Sequence, residues 1–557
     1  MADFRKLLPA VAMLALVAFS ARPAAAQAAF ACTATAGVPP LARAEGITEL
    51  VGDIVLNCSG GSGNPITANV QIFLNTNVTS RILSGTTTEA LLLLGEPANA
   101  QLGVNAFQGQ LVGANSLVWL GVEILPAATT QQTIRITNVR ANASGVTTVN
   151  PNLPPSLIPS QIVALISISG TTSVPVNNPQ QIVAFVQPGL VTSAGSETLR
   201  QCFDLNTNNS ANGSSAVALT YNEGFATSFK PRLGPGQTAN NGTATSTSVP
   251  GAIANSESGF LISGQSLGLA DFGTRVQAVF ENVPAGATVW VTSKPVSGPD
   301  ANLVSGGTTT ASFGTTEVNG TAYSSGWTAL TVSGSTATAV WEFVDPDPFA
   351  VETAVFGVLL SYTSNPAGDV PSIGTMTVRQ SFSPLSTVTT ASASAPIPRF
   401  VDNSTARTVF TINACVTNLL FPFVTTAPGF DTGIAISNTS LDSPVFSTSA
   451  QTGACTLYFF GPGAPTEAPV TPTVTPGTSF AFSLWNGSGN IAPLRDFTGY
   501  LIARCTFQYA HGYAFISDLG SSRFAQGYLA LVIPDRANRP ADPFPSAGSG
   551  SGEQLGN

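Results

Sequence analysis

Short apolar runs of strand length recur along almost the whole chain and constrain its fold more than any other feature. Runs such as 49–57, 69–74, 117–125, 162–169 and 182–186 are rich in Val, Ile, Thr and Phe, and Gly, Pro, Asn or Ser residues bound them. Apolar runs of this length between turn-forming residues are typical of β-sandwich strands, and no comparable helical periodicity occurs. The sequence therefore predicts an all-β chain of tandem Ig-like β-sandwich modules.

The chain has 557 residues, which is too long for a single domain of ordinary size. A signal peptide is predicted at its start, because Arg5 and Lys6 precede a short apolar core and Ala24-Ala25-Ala26 forms a cleavage site. Stretches rich in Ser, Thr, Gly and Pro suggest where the modules divide. The predicted organisation is a signal peptide over 1–26, module one over 27–198, module two over 199–395 with a Gly/Asn/Thr/Ser-rich loop at 234–250, module three over 405–535, and a flexible tail over 536–557.

Charged residues are scarce, since Asp, Glu, Lys and Arg make up only 9% of the chain and its net charge is −9. Scattered arginines in an acidic chain do not neutralise a row of phosphates, so no nucleic-acid partner is expected. The single histidine, His511, excludes a multi-histidine metal centre, and no cofactor is expected. No segment after the signal peptide is apolar for long enough to form a membrane helix. We therefore expect a secreted protein that is extracellular or associated with the cell surface.

Six cysteines without a C-x-x-C pair, in a chain predicted to be exported, are expected to form disulfides. The count permits many connectivities. Proximity in sequence favours Cys32 with Cys58 and Cys455 with Cys505, which leaves Cys202 with Cys415 as a bridge between two modules.

Three segments resemble parts of uncharacterised exported bacterial proteins built of several β-sandwich modules. They are 38–61 (VPPLARAEGITELVGDIVLNCSGG), 269–291 (LADFGTRVQAVFENVPAGATVWV) and 419–534, which contains CTFQYAHGYAFISDLG and GYLALVIP. The resemblance implies bacterial secretion and β-modules, and it brings no activity and no catalytic residue.

Within the chain, 137–141 (TNVRA) and 281–285 (ENVPA) echo each other after predicted strands, which suggests equivalent turns.

A possible serine nucleophile lies in Gly264-Gln265-Ser266-Leu267-Gly268, which matches the G-x-S-x-G pattern of hydrolases. The required helix does not follow it, so a turn is the favoured interpretation; a nucleophilic Ser266 would need His511 as its base. Alternation over 507–515 places Phe507, Tyr509, His511, Tyr513 and Phe515 on one face of a strand. We favour a hydrogen-bonded histidine within an aromatic core over a general base or a sugar-stacking surface.

Two oxygen-rich patches are candidate calcium sites. They consist of Asp204, Asn206 and Asn208 in the first, and of Glu342, Asp345, Asp347 and Glu352 in the second. The first lacks the glycine and the closing glutamate of a calcium loop, which favours a polar loop. The second includes two prolines, which favours a stiff turn over a metal site, so no metal ligand is assigned.

The predicted function is that of a non-catalytic secreted structural, adhesion or surface-interaction protein. Neutral polar side chains suit broad contact surfaces, and strand edges with few lysines permit pairing with a second copy or with a protein or glycan partner. A carbohydrate-binding protein that stacks sugars on exposed aromatic residues is one alternative, and a secreted hydrolase is another. Tryptophans on predicted strands, such as Trp119 and Trp290, are expected to lie in cores.

Overall fold

The computed structural model describes residues 30–533 and 554–555, with gaps at 62, 64, 98, 147–158, 171–173, 201–216, 232–256, 263–266, 305–326, 363–370, 415, 442–444, 446–449 and 519–522. The predicted signal peptide, the loop at 234–250 and all of the tail except 554–555 lie outside the described residues. Strands dominate the rest, and the predicted all-β fold with several sandwich units is confirmed.

The first unit, residues 30–187, is built on one long sheet. Its strands are β1 (Ala31–Ala36), β2 (Leu41–Arg43), β3 (Glu49–Leu50), β4 (Ile54–Gly60), β5 (Ile66–Leu74), β6 (Ile82–Ser84), β7 (Thr87–Leu94), β8 (Ala106–Gly113), β9 (Ser116–Ile124), β10 (Ala127–Thr137), β11 (Arg140–Ala141), β12 (Ser160–Gly170), β13 (Val176–Asn177) and β14 (Gln180–Gln187), with a 3-10 turn at Ala143–Gly145. Twelve of them follow the order β13-β1-β4-β10-β7-β8-β9-β5-β12-β14-β2, with β6 beside β7, while β3 and β11 pair separately. Residues from both halves of the sheet, such as Leu56 and Ile166, share one buried core, so the sheet folds over on itself.

The second unit, residues 190–413, is a sandwich of two sheets. Its strands are β15 (Leu190–Ala194), β16 (Glu197–Arg200), β17 (Val217–Glu223), β18 (Arg275–Glu281), β19 (Ala287–Thr292), β20 (Asp300–Val304), β21 (Trp327–Ala329), β22 (Val332–Ser333), β23 (Thr336–Asp345), β24 (Thr353–Tyr362), β25 (Gly374–Ser383) and β26 (Arg407–Asn413). One sheet has the order β15-β17-β24-β19-β21, and the other has the order β16-β26-β25-β18-β23-β20 with β22 beside β23. Aromatic side chains fill the core between them: Trp341 stacks on Phe356 with ring centroids 4.2 Å apart.

The third unit, residues 417–533 with 554–555, is a smaller sandwich. Its strands are β27 (Thr417–Thr425), β28 (Asp431–Asn438), β29 (Cys455–Phe460), β30 (Ser479–Ser483), β31 (Thr498–Cys505), β32 (Ala510–Ser517), β33 (Ala525–Leu529), β34 (Leu531–Ile533) and β35 (Gln554–Leu555). The sheet β29-β31-β27-β34-β35 packs against the sheet β30-β28-β32-β33.

Two predicted disulfides are confirmed. Cys32 and Cys58 lie directly opposite each other on β1 and β4, and Cys455 and Cys505 lie opposite each other on β29 and β31. Each bridge therefore ties neighbouring strands within one unit. The other predicted pair, Cys202 and Cys415, lies outside the described residues.

The unit boundaries differ from those predicted. Strand β15, assigned to module one by the sequence, pairs with β17 of the second unit, and β16 pairs with β26 in parallel. Strand β26, predicted as the start of module three, lies between β16 and β25 of the second unit. The Ser/Thr-rich segment 383–398, which precedes β26, is not a flexible linker. It is held in place by Arg399, which donates hydrogen bonds to the carbonyl oxygens of Val388, Pro396 and Thr390. The unit boundaries are thus set by pairing between strands that lie far apart in sequence. Local composition does not encode such pairing.

The two sequence echoes occupy equivalent turns. Asn138 follows β10 and Asn282 follows β18, and both asparagines have a left-handed backbone, with φ of 59° and 58°. Asparagine tolerates this conformation better than most residues. The valines after them, Val139 and Val283, are both buried. The two turns thus share a left-handed asparagine followed by a buried valine.

Candidate binding face on the third unit

Strand β32 presents its aromatic side chains to solvent. Tyr513 and Phe515 are each 43% exposed and His511 is partly exposed, whereas Gly512 and Ala514 face the core. The interpretation of this segment as an aromatic core is therefore wrong for these three residues. Of the predicted face, Phe507 does lie in the core, but Tyr509 has a left-handed backbone that ends the alternation before the strand begins.

The space between the sheets explains this orientation. A Cβ atom at Gly512 would lie 2.6 Å from Cζ of Phe421 and 2.8 Å from Cβ of Ala530. Phe421 comes from the opposite sheet and is fully buried, so the inner side of β32 has no room for a side chain at position 512. The strand turns the side that carries Gly512 inward and the side that carries Tyr513 and Phe515 outward.

Small residues flank the aromatic row on the outer side. Phe515 lies between Gly433 on β28 and Gly527 on β33, and Tyr513 lies between Ala435 and Leu529. The rings therefore rise above their neighbours along most of the row. We call the outward-facing residues His511, Tyr513 and Phe515 the aromatic row.

The Tyr513 ring lies low over the neighbouring strand. Its hydroxyl occupies the place that a Cβ atom at Gly527 would take. The absence of a side chain at Gly527 is thus required for this ring position.

The face around the aromatic row is nearly uncharged. The outward-facing residues of β28, β30, β32 and β33 include no Lys or Arg, and Asp431 is their one acidic residue. The Asp431 carboxylate accepts hydrogen bonds from the Ser483 hydroxyl and from the backbone N–H of Trp485. Ser437 and Ser479 add hydroxyl groups beside the row, 2.6 Å from each other. The face therefore offers aromatic rings and neutral hydrogen-bonding groups.

The opposite sheet of this unit also exposes aromatic residues, but these are arranged differently. Tyr458, Phe460 and Tyr500 are each about 40% exposed. Phe460 and Tyr500 stack on each other with ring centroids 4.8 Å apart, so each covers one face of the other. Exposed Arg504 lies on the same side of β31 as Tyr500. This face is thus a cluster of rings with a nearby positive charge.

The described tryptophans do not contribute to either face. Trp119 and Trp341 are fully buried, as expected, while Trp290 is half-buried and donates a hydrogen bond to Ser361 at 2.8 Å. The guanidinium of Arg495 lies 3.7 Å from the centre of the Trp485 ring and covers it.

A buried cluster of charges lies between the first and second units, and no local sequence pattern indicates it. Arg43 on β2 contacts Glu49 at 2.7 Å and Glu257 at 2.8 Å, and all three side chains are fully buried. Lys230 approaches the same two carboxylates at 3.4 and 3.5 Å. Burial opposes ionisation of Glu49, but the charges of Arg43 and Lys230 outweigh it and lower the pKa of Glu49 to about 2. The cluster joins the two units through paired charges.

The second predicted calcium patch is divided in the structure. Glu342 is buried and binds Arg275 at 2.9 Å, away from the turn. Asp347 and Glu352 lie in that turn, where the Glu352 carboxylate accepts a hydrogen bond from the N–H of Asp347 at 2.6 Å. The side chain of Asp345 is not among those described.

Glu223 joins this turn as a third carboxylate, accepting a hydrogen bond from the N–H of Glu352 at 3.0 Å. Burial raises the pKa of Glu223 to about 7, and the charges of Glu352 and Asp347 add to the effect. The described residues nevertheless contain no group of three His, Cys, Asp or Glu side chains arranged to hold a metal ion. The predicted stiff turn fits these hydrogen bonds.

Two other predicted sites fall outside the described residues: Ser266, and the patch of Asp204, Asn206 and Asn208. The pairing of Ser266 with His511 therefore stays a prediction. Among the described residues, no helix is long and apolar enough to cross a membrane.

Comparisons with known proteins give little further information. No family model and no curated protein matches the chain. Among solved structures, the CupB6 tip adhesin from Pseudomonas aeruginosa is similar at 10% identity over 69% of this chain and 98% of its own, with a TM-score of 0.14. A protein from Corynebacterium diphtheriae described as membrane anchored is 9% identical over 89% of this chain and 88% of its own, with a TM-score of 0.16. TM-scores this low carry no information about function.

Proposed function

We propose that this protein is a non-catalytic, secreted surface-interaction protein that makes contact through its third unit. The observation that carries the proposal is the distribution of strongly exposed aromatic side chains. Eight of the ten among the described residues belong to the third unit, namely Phe423, Phe430, Tyr458, Phe460, Tyr500, Tyr513, Phe515 and Phe524. The first two units contribute only Phe73 and Phe349. Exposed aromatic residues grouped on one unit are typical of contact surfaces.

The paired charges of the first two units support a non-catalytic role. Catalytic acids and bases are held facing a cleft where a substrate can reach them. Here Arg43, Glu49 and Glu257 are fully buried and bind one another across the junction of two units. Their charges stabilise the assembly of the sandwiches.

Export is supported by the two intrachain disulfides. Cys32–Cys58 and Cys455–Cys505 are bridges of the kind that persist in oxidising compartments outside the cytosol. The predicted signal peptide over 1–26 is part of this proposal. A surface-interaction protein with exposed aromatic rings needs such a location to meet its partners.

Binding of the labelled full-length chain to intact bacterial cells and to isolated envelopes tests the proposal. The test variant carries Tyr458→Ser, Tyr500→Ser, Tyr513→Ser and Phe515→Ser. The matched control is Phe349→Ser, which changes a 92% exposed aromatic residue on the second unit. We expect the test variant to bind at least about tenfold more weakly, equivalent to ~1.4 kcal/mol, and the control to bind like the native chain. Equal binding by all three folded proteins would refute the proposal.

A further inference from the structure

The aromatic row is straight and one side chain wide. Its members alternate along β32, so adjacent rings are separated by two residues, or ~7 Å along the strand. Gly433 leaves the β28 side of Phe515 open, and the Tyr513 ring extends over Gly527 on the β33 side. A ligand on this row would be long and narrow, and would lie parallel to the strand.

The exposed area of the row is too small for a stable protein interface. A fully exposed aromatic side chain presents ~150–250 Å², so the 43% exposed Tyr513 and Phe515 with His511 and 60% exposed Leu529 offer ~300 Å². A stable interface buries ~800 Å² on each partner. A flat row of this size is better matched to a single extended chain than to a second globular surface.

The lack of charge narrows the chemistry of that chain. With no Lys or Arg among the outward-facing residues of its four strands, the face has no permanently charged cation to pair with phosphate, sulfate or uronate. The C–H faces of pyranose rings are apolar and complement the negative face of an aromatic ring. Sugar hydroxyls can bond the hydroxyls of Ser437 and Ser479 beside the row.

We propose that the aromatic row binds a neutral linear polysaccharide, with one chain lying along β32 and its sugar rings stacked on Tyr513 and Phe515. The inference rests on the proposed function and names the ligand class of the third unit. Gly527 is then a positioning residue, because it leaves the space into which the Tyr513 hydroxyl extends. The stacked rings Phe460 and Tyr500 on the opposite sheet do not take part.

Isothermal titration of the full chain with neutral linear hexasaccharides of β-1,4-linked glucose, xylose and mannose tests the inference, with hyaluronan as a polyanionic comparison. We expect at least one neutral probe to bind, and Tyr513→Ala and Phe515→Ala each to weaken it about tenfold, equivalent to ~1.4 kcal/mol. The matched control is Phe349→Ala, which removes a 92% exposed ring from the second unit and should leave affinity within about twofold.

The Gly527→Ala variant tests whether the position of the Tyr513 ring matters for binding, because it moves the ring without removing it. The added methyl group displaces the Tyr513 hydroxyl, which belongs to the end of a side chain that can rotate away, so the unit should keep its stability. We expect weaker binding with an unchanged unfolding midpoint. Unchanged affinity in this variant would overturn the positioning role of Gly527.

Three results would overturn the polysaccharide inference. They are the failure of all neutral probes to bind, tighter binding of hyaluronan than of any neutral probe, and loss of affinity in the Phe349 variant instead of the row variants. Light scattering that shows a dimer abolished by Phe515→Ala would assign the row to a second copy.

If envelope binding depends on the aromatic residues while no glycan binds, the ligand class is wrong and the proposed function stands. If envelope binding does not depend on them, the proposed function itself fails.

Discussion

Replacing Arg43 with methionine should separate the role of charge from that of packing at the junction of the first two units. Methionine keeps most of the length of the side chain but removes the guanidinium that contacts Glu49, Glu257 and the Thr274 hydroxyl. Lys230 would remain as the cation near the two carboxylates, at 3.4 and 3.5 Å. Two buried carboxylates would then share one more distant positive charge.

The expected loss can be estimated from the pKa of Glu49. That pKa is lowered from 4.5 to about 2 despite burial, which corresponds to ~3 kcal/mol of stabilisation at neutral pH. Breaking a buried ion pair by removing one partner costs ~3–5 kcal/mol, so the two estimates agree. Because the folded pKa is lowered, this stabilisation is present above pH ~4.5 and is lost as the pH falls toward 2. The deficit of Arg43→Met should therefore be largest at pH 7 and should shrink as the pH falls through this window.

Urea unfolding followed by tryptophan fluorescence at pH 7 and pH 3 measures this deficit, since Trp119, Trp290 and Trp341 report on the first two units. The matched control is Arg135→Met, which removes a half-exposed arginine paired with Glu96 at 2.6 Å. Its cost should stay below ~1 kcal/mol at both pH values. A deficit in Arg43→Met below ~1 kcal/mol at pH 7, or one that does not shrink at pH 3, would contradict the reasoning.

Three further predictions concern stability. Removing the Cys455–Cys505 bridge, which closes a loop of 50 residues, should destabilise the third unit by ~4 kcal/mol in denaturant titrations under non-reducing conditions. Burial raises the pKa of Glu223 to about 7, so stability is highest below pH ~4.5, where this carboxyl group is neutral in the folded and unfolded states, and falls as the pH rises to 7; Glu223→Gln should flatten that part of the stability profile. Gly512→Ala should cost ~1–3 kcal/mol in thermal melts because its methyl group meets Phe421, whereas Gly433→Ala on the open side of the same sheet should not.

Strands were predictable from sequence wherever a segment's own periodicity matched its surroundings. The predicted runs 69–74, 117–125, 162–169 and 182–186 all correspond to strands of the first unit. The run 49–57 instead divides into β3 and β4, because the N–H of Gly52 donates a hydrogen bond to Val183 at 2.8 Å and draws the chain away between them. Partners distant in sequence decide such breaks, so a local pattern does not predict them.

The buried charges escaped prediction for a related reason. Arg43 lies in a segment without strong periodicity and Glu49 opens the predicted run 49–57, and charged side chains at such positions are ordinarily assigned to the surface. The burial of Arg43 and Glu49 is favourable only because Glu257 and Lys230 of the second unit supply charged partners. Pairing across 214 residues of sequence, as between Arg43 and Glu257, has no local signature.

The same principle accounts for the orientation of β32. Hydrophobicity alone assigns its aromatic side to the core, but the opposite sheet already supplies Phe421, and the gap beside it admits no side chain at Gly512. Volume, and not polarity, therefore determines which side of the strand faces inward. Tyr513 and Phe515 nevertheless lie on the outer side of the sheet. There, 43% of each side chain stays exposed to water and contributes no hydrophobic stabilisation. Small polar residues at these two positions would satisfy the packing equally well, so their aromatic character points to a role in binding at this face.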